Sequence, residues 1–290
     1  MSVDRLSSLF ERFRVSAQLF HAGPLCGVSH FSGGMGLGFV HLLRGGELHV
    51  THKKTPGGPP KTLHIVEPSL LFYPRPQDHD FVYPPEEGSQ LVCATLRFEG
   101  GAMHPLARAL PPLVVVPLAQ LPALNPTLEL LFAEADHARC GQRLLASRLF
   151  EVLLIQLLRW LLDHEDARLP AGLLAGLADP QLARALVAMH EQPSHAWTLP
   201  SLADRAGMSR SAFAAAFKRV VGDTPAEHLA QWRLALAQQR LARGDAVKRV
   251  ALDVGYGSAS ALSRAFAARM GQSPRAWLST TRSGSAPRSA

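Results

Sequence analysis

The sequence predicts an α+β chain: an N-terminal β-barrel or sandwich with a helical connector, then an all-α domain carrying two helix-turn-helix units. Three observations predict it. The segment from Ser209 to Leu229 recurs 49 residues later, from Ser258 to Leu278, with Ser, Ala, Phe, Gly, Pro and Leu in register, and a repeat of this kind marks one supersecondary unit used twice. The first half instead shows short apolar runs broken by Gly and Pro, the texture of strands and turns. Charge divides in the same place. Residues 1–170 hold 15 Lys and Arg against 16 Asp and Glu, whereas residues 171–290 hold 15 against 7, so the whole positive excess accompanies the repeat.

Taken in order, Leu6, Leu9, Phe10 and Phe13 at helical spacing predict a short helix over 4–13. Strands are predicted over 39–43, 47–51, 62–66, 70–73 and 91–98, with 110–117 as a last buried extended run. Arg44-Gly-Gly46 and Pro56-Gly-Gly-Pro-Pro60 are turns between them. Regular short strands of this kind make a small sandwich or barrel. Helices are predicted over 127–139 and 142–166, and the second is apolar over most of its circumference, so it must bury two faces. One face covers the β domain. The other is available to a second copy of the chain, giving a homodimer, or to the C-terminal domain. Leu169–Gly176 is the candidate linker, and Asp179-Pro180 reads as the cap and first-turn proline of a helix over 181–191. The expected boundaries are 1–125 for the β domain, 126–178 for connector and linker, 179–280 for the helical domain and 281–290 for a disordered polar tail.

Within the repeat, Gly207-Met-Ser209 and Gly255-Tyr-Gly-Ser258 are turns in which glycine takes positive φ and serine caps the next helix. Helix, glycine turn and helix make a helix-turn-helix, whose second helix can enter a DNA major groove. Phe213, Ala216, Phe217 and Val220 form the inward face of the first such helix. Leu262, Ala265 and Phe266, with Arg269 or Met270, do so in the second. The outward faces are almost free of carboxylates, the electrostatic footprint of a nucleic-acid partner. Pro225–Arg243 predicts one long helix joining the two units, and recognition helices that enter successive grooves on one DNA face lie about 34 Å apart.

The pattern Trp197-Thr-Leu-Pro-Ser-Leu-Ala203, Gly-Met-Ser-Arg-Ser-x-Phe213, Phe217-x4-Gly222-x2-Pro225, Trp232-Arg233, Gly255-Tyr256, Ser263-Arg264-Ala-Phe266 and Gly271-x-Ser-Pro274 resembles the DNA-binding domain of the AraC family of bacterial transcription regulators. The resemblance covers about the last 110 residues. It implies that Arg210, Ser211, Ala214 and Ala215 face the groove from the first recognition helix and Ser260, Ser263 and Arg264 from the second. Ala214 and Ala215 stand where family members often carry long polar side chains, which leaves the first helix thymine-methyl or shape contacts. Arg264 is the candidate base reader, since arginine can bond guanine O6 and N7 together. Lys218, Arg219, Arg233, Lys248, Arg249 and Arg269 are candidates for phosphate contact, which positions the protein without specifying sequence.

Glu67-Pro-Ser-Leu-Leu-Phe-Tyr-Pro74-x4-His79 resembles the second cupin motif, while the first motif is not visible around His41, His49 and His52. His49 and His52 are three apart, so on one strand they point to opposite faces. An early Cys26, the His79 motif and Cys93 in a Leu-Val-Cys strand resemble a cupin-bearing AraC subgroup that includes a reactive-chlorine-responsive regulator. One reading is a site of Cys26, His79 and Cys93, with His21, that binds zinc or another soft metal or is reversibly oxidised. The other is that both cysteines are small buried hydrophobes and His79 a satisfied loop histidine.

Three cysteines do not form a disulfide framework. The start of the chain lacks a signal-peptide pattern, and the longest apolar run, Val152–Leu162, is too short to span a bilayer. The expectation is therefore a cytoplasmic, non-enzymatic regulator, by resemblance an activator, with promoter DNA and RNA polymerase as partners and no membrane. The alternative is a cupin metalloenzyme with an attached DNA-binding module.

Overall fold

A computed structural model describes residues 3–83, 88–101, 104–137, 139–164 and 169–284. The chain forms two compact units, one of residues 14–170 and one that joins residues 1–13 to 171–290.

In the first unit, β1 (Val15–Leu25), β8 (Ser89–Phe98), β3 (Gly38–Gly45), β6 (Ser69–Tyr73) and β9 (Val114–Pro117) form a five-stranded sheet in that order. A four-stranded sheet runs β2 (Val28–Phe31), β7 (His79–Val82), β4 (Leu48–His52) and β5 (Thr62–Ile65). Every pairing is antiparallel. Alternation along each strand sends Phe39, Leu43, Val50, Tyr73, Phe81 and Leu91 between the sheets, the packing of a β-sandwich. The opposite face of the larger sheet also buries apolar residues, among them Val40, Leu42, Phe72, Val92 and Leu96, and helices cover it.

Helix α3 (Asn125–Asp136) packs on α4 (Gln142–Asp163), and α4 runs along β1. Leu149, Phe150, Leu153, Leu154, Leu157, Leu158, Leu161 and Leu162 are buried along α4. The β domain and α3 thus take most of the apolar circumference that the sequence divided between two partners. Strand β1 has a free edge, and two of its N–H groups donate into α4: Ala17 N to Glu151 Oε1 (3.2 Å) and Leu19 N to Ser147 Oγ (3.3 Å). Those bonds satisfy donors that an open edge would leave as a template for aggregation. Strands β1, β2 and β7 were not among the sequence-predicted strands. Gly23 and Pro24 lie inside β1, and a bulge near Phe20 breaks its alternation. The expected extended run over 110–117 is strand only over Val114–Pro117, preceded by helix α2 (Pro105–Ala109).

The second unit begins with α1 (Ser7–Arg12) and continues through α5 (Leu173–Ala178), α6 (Pro180–Glu191), α7 (Leu199–Ala206), α8 (Arg210–Val221), α9 (Pro225–Ala242), α10 (Val247–Asp253), α11 (Ala259–Met270) and α12 (Pro274–Gly284). Asp179 caps α6 by accepting from Gln181 N and Leu182 N, as its place before Pro180 predicts. The second half of the expected linker at 169–176 instead begins helix α5. Leu173, Leu174 and Leu177 of α5 are buried, and burial of three leucines outweighs the Gly and Pro nearby. Helix α12 likewise runs to Gly284, past the expected tail boundary. Trp277 anchors it against the Phe266 ring (5.8 Å between centroids) and Ser273 Oγ accepts from Ala276 N. Residues 285–290 of that tail lie outside the described residues.

The segment before β1, assigned by the sequence to the β domain, packs within the helical unit. Arg12 Nη2 donates to the Glu191 carbonyl (2.9 Å) and the Phe13 ring meets Trp232 edge-on at 4.9 Å. Trp232 in turn stacks on His190 (3.7 Å), whose Nε2 lies 3.0 Å from His228 Nε2. This column of rings ties α1, α6 and α9 together.

Candidate functional site

The two repeats fold alike. Gly207 (φ +67°) and Gly255 (φ +92°) close the first helices, and a side chain other than hydrogen is strained in that backbone region. Ser209 and Ser258 then cap the second helices, accepting from Ala212 N (3.3 Å) and Ala261 N (3.1 Å). Phe213 and Phe217 in α8, and Leu262 and Phe266 in α11, are fully buried. Because the helix period is 3.6 residues, burying that face turns the other outward. Arg210, Ser211 and Ala215 are exposed and Ala214 half-buried on α8; Ser260 and Arg264 are exposed and Ser263 half-buried on α11.

Of the phosphate candidates, Lys218, Arg219, Lys248, Arg249 and Arg269 are exposed. Lys218 Nζ stands 3.8 Å from Glu227 and Arg249 Nε 4.0 Å from Asp253, loose surface pairs that solvent screens and that release the cation readily.

Arg233 is placed differently. Its Nε donates to the Pro193 carbonyl (2.6 Å) and its Nη2 to the His195 carbonyl (3.0 Å), so most of its guanidinium serves the loop between α6 and α7. The same guanidinium abuts the turn of the second helix-turn-helix: a Cβ on Gly255 would sit 2.9 Å from Arg233 Cζ and 2.7 Å from Ser194 Cα. Arg233, on the joining helix α9, therefore clamps the entry to the first unit against the turn of the second. Sequence reasoning assigned it to phosphate because an isolated arginine next to a tryptophan carries no sign of which carbonyls will surround it.

Between the sheets of the sandwich, His41, His52 and His79 are buried. His79 Nδ1 donates to the Gln77 carbonyl (2.9 Å), which leaves its Nε2 as the acceptor for His41 Nε2–H at 3.0 Å. His41 Nδ1 is then a buried acceptor without a hydrogen-bond partner among the described residues. Phe31 stacks on His79 (4.9 Å), and Phe39 on His41 (5.7 Å). Burial holds His41 well below the usual imidazole range and His79 down to about 4. His52 bridges the Pro60 carbonyl (2.6 Å) and the Tyr73 hydroxyl (2.8 Å).

Cys93 lies on β8 between two cross-strand partners, His21 on β1 and His41 on β3. It is fully buried, and burial pushes its thiol far up. Cys26 is exposed in the turn between β1 and β2. The four residues expected as a metal or redox set thus divide: His21 and Cys93 sit side by side on the larger sheet, His79 faces them from the other, and Cys26 lies at the surface. Among the described residues, the only trio of His, Cys, Asp or Glu whose ligand atoms all fall within 4.8 Å of one another is Glu47, His49 and His64; Cys26, His79, Cys93 and His21 are not drawn together in that way. His41, the partner of His79, went unassigned. Its parity with Phe39 and Leu43 along one strand was the available signal.

Residues 4–163 match the cupin family and residues 202–280 a helix-turn-helix domain family. The RCS-specific HTH-type transcriptional activator RclR of Escherichia coli K12 is 30% identical over 211 residues, covering 71% of this chain and 73% of that one. The chain belongs to the AraC family of regulators. An AraC-like transcription regulator of Streptomyces antibioticus is 40% identical over 187 residues, 63% of this chain; the chain spans 61% of the length of that relative. Among solved structures, the DNA-binding domain of AdpA in complex with a target DNA aligns with 38% of this chain and 99% of that chain at 31% identity and a TM-score of 0.35. No helix among the described residues is long and apolar enough to cross a membrane.

Proposed function

We propose that this AraC-family chain is a transcription regulator that binds promoter DNA through α8 and α11 and is controlled by a signal received in its β-sandwich. The observation that carries the reading is the pair of equivalent recognition helices, each held by buried aromatic or leucine side chains and each turning an outward face without carboxylates toward solvent. Base readout is assigned to Arg264, assisted by Ser260, Ser263, Arg210 and Ser211, with Ala214 and Ala215 reading shape or thymine methyls. Lys218, Arg219, Lys248, Arg249 and Arg269 neutralise phosphates. Arg233 is reassigned from phosphate contact to positioning the two helix-turn-helix units.

The finer reading is a cytoplasmic activator that contacts RNA polymerase and works as a homodimer. Leu144, Leu145 and Val152 support dimerisation: they are exposed along α4 beside its buried face. For the signal, the unpartnered His41 Nδ1 next to Cys93 and His79 supports a receiving site inside the sandwich, and the solvent-open Cys26 supports oxidation as one form of signal.

Genome-wide mapping of bound DNA, followed by footprinting on the recovered sites, tests the regulator reading; the absence of discrete sites would overturn it. Arg264→Ala is expected to lose about 1–3 kcal/mol of discrimination at one base pair. Lys218→Ala is expected to weaken all sequences alike and to reduce the salt dependence of binding by about one ion. Affinity measured on a panel of single-base operator variants at two salt concentrations separates the two, and a base-specific loss in Lys218→Ala contradicts its assignment. Mild hypochlorite applied before the binding assay tests the oxidation reading, with Cys26→Ser expected to remove any response.

A further inference from the structure

The outer face of the four-stranded sheet carries a second cluster of metal-ligating side chains, separate from the histidines between the sheets. His49 on β4 and His64 on β5 are direct cross-strand partners. Their rings stack 4.0 Å apart and only 6° from parallel. Glu47 stands two residues before His49 and so on the same side of the chain, with Oε2 3.0 Å from His64 Nε2. Its backbone is held in place, because the Glu47 carbonyl accepts the Ser89 hydroxyl. One ligand atom from each of the three residues lies within 4.8 Å of the others. None of the outward positions on these four strands is Lys or Arg, so no strand cation opposes a bound positive ion.

We propose that Glu47, His49 and His64 form a surface binding site for a divalent transition-metal ion of the Zn(II) type. Two imidazole nitrogens and one carboxylate oxygen are a donor set that such ions favour over Mg(II) or Ca(II), which take oxygen. Ligand bonds of about 2.0–2.2 Å require the donors to close inward. Rotation about χ2 of two exposed histidines achieves this, since that torsion is broad and soft. Water fills the remaining coordination position. A bound ion cross-links β5, the edge strand, to β4 and so secures an exposed edge. The proposal stands apart from DNA binding and from the histidines between the sheets, and its failure leaves both untouched.

The test is calorimetric titration of Zn(II) into the tag-free full-length chain, with Co(II) absorption reporting the coordination geometry. We expect one equivalent that disappears in His49→Ala/His64→Ala, together with the tetrahedral Co(II) bands, and that is weakened about tenfold or more in Glu47→Gln. His30→Ala, on the same face but outside the trio, should leave that equivalent intact. Glu47 is half-buried and His49 and His64 are exposed, so the variants are expected to fold, which a circular dichroism melt verifies. Identical isotherms for the wild type and the double variant would overturn the site, as would loss of the equivalent in His30→Ala with retention in His64→Ala.

Discussion

Replacing Gly255 by alanine should abolish tight operator binding while Gly257→Ala, two residues away in the same turn, leaves it near wild type. Gly255 has φ +92°, and its added methyl would meet Ser194 Cα at 2.7 Å and Arg233 Cζ at 2.9 Å. At Gly257 no heavy atom of the described residues lies within 4 Å of the equivalent position. The backbone strain costs about 1–3 kcal/mol and the overpacking against backbone about 1–3 kcal/mol more. Relief comes by moving the second turn away from the Pro193–His195 loop, which tilts α11 relative to α8. In the proposed reading both helices engage one duplex together and tolerate little such tilt, because phosphate contacts fix register and orientation for both. Arg233→Ala should act in the same direction, since it strips donors from the Pro193 and His195 carbonyls. Thermal melts together with fluorescence anisotropy on an operator and on half-site duplexes decide the matter. If Gly255→Ala and Gly257→Ala behave alike, Arg233 and Gly255 do not set the geometry of the pair.

The helical unit should lose stability steeply on mild acidification. His190 and His228 share a hydrogen bond inside the ring column, and burial holds His190 well below the usual imidazole range and His228 down to about 4. The His190 proton is opposed further by His228 and by Arg12, whereas Asp223 pulls the His228 value back up. In the unfolded chain both imidazoles protonate near pH 6.5. The unfolded state therefore binds more protons below that pH, so the stability present above about 6.5 drains away as pH falls toward the folded values. Both histidines add to the slope in the same direction over that window, so the loss is expected to be plain by about pH 5. Urea midpoints of the full chain between pH 7.5 and 5, in numbers chosen as about one-half unit steps, measure the slope. A His190→Leu/His228→Leu variant removes both buried imidazoles of the helical unit at once and should reduce the slope, leaving the part owed to His41 and His79 in the sandwich. Retention of the full slope in that variant would place the acid sensitivity elsewhere.

The helical unit was legible because its information is local. Repeat register, glycine at each turn, serine at each cap and phenylalanine at helical spacing all lie within one copy of the repeat, and the folded helices follow them closely. Helix α9 spans Pro225–Ala242 against an expectation of 225–243. Strands β3, β4, β5, β6 and β8 were legible for a similar reason, as compact apolar runs between turn residues. Strand β1 was not, because an edge strand with one row of polar side chains, a bulge and an internal Gly-Pro looks like loop until a helix supplies partners for its N–H groups.

The site residues divide along the same line. Which side chains face outward from α8 and α11 follows from helical period and a buried aromatic face, both properties of short segments, so the outward positions could be read without coordinates. Proximity between residues far apart in the chain could not. His41 meets His79 across 38 positions and Arg233 reaches Pro193 across 40, and no local pattern encodes which strand register or helix crossing brings them within hydrogen-bond distance. Cys26 and Cys93 make the point from the other side: similar residues in suggestive surroundings, one left at a solvent-exposed turn and the other buried between two histidines by the pairing of β8 with its neighbours. Sequence periodicity settles which face a residue occupies; only the packing of sheet on sheet and helix on helix settles what lies opposite that face.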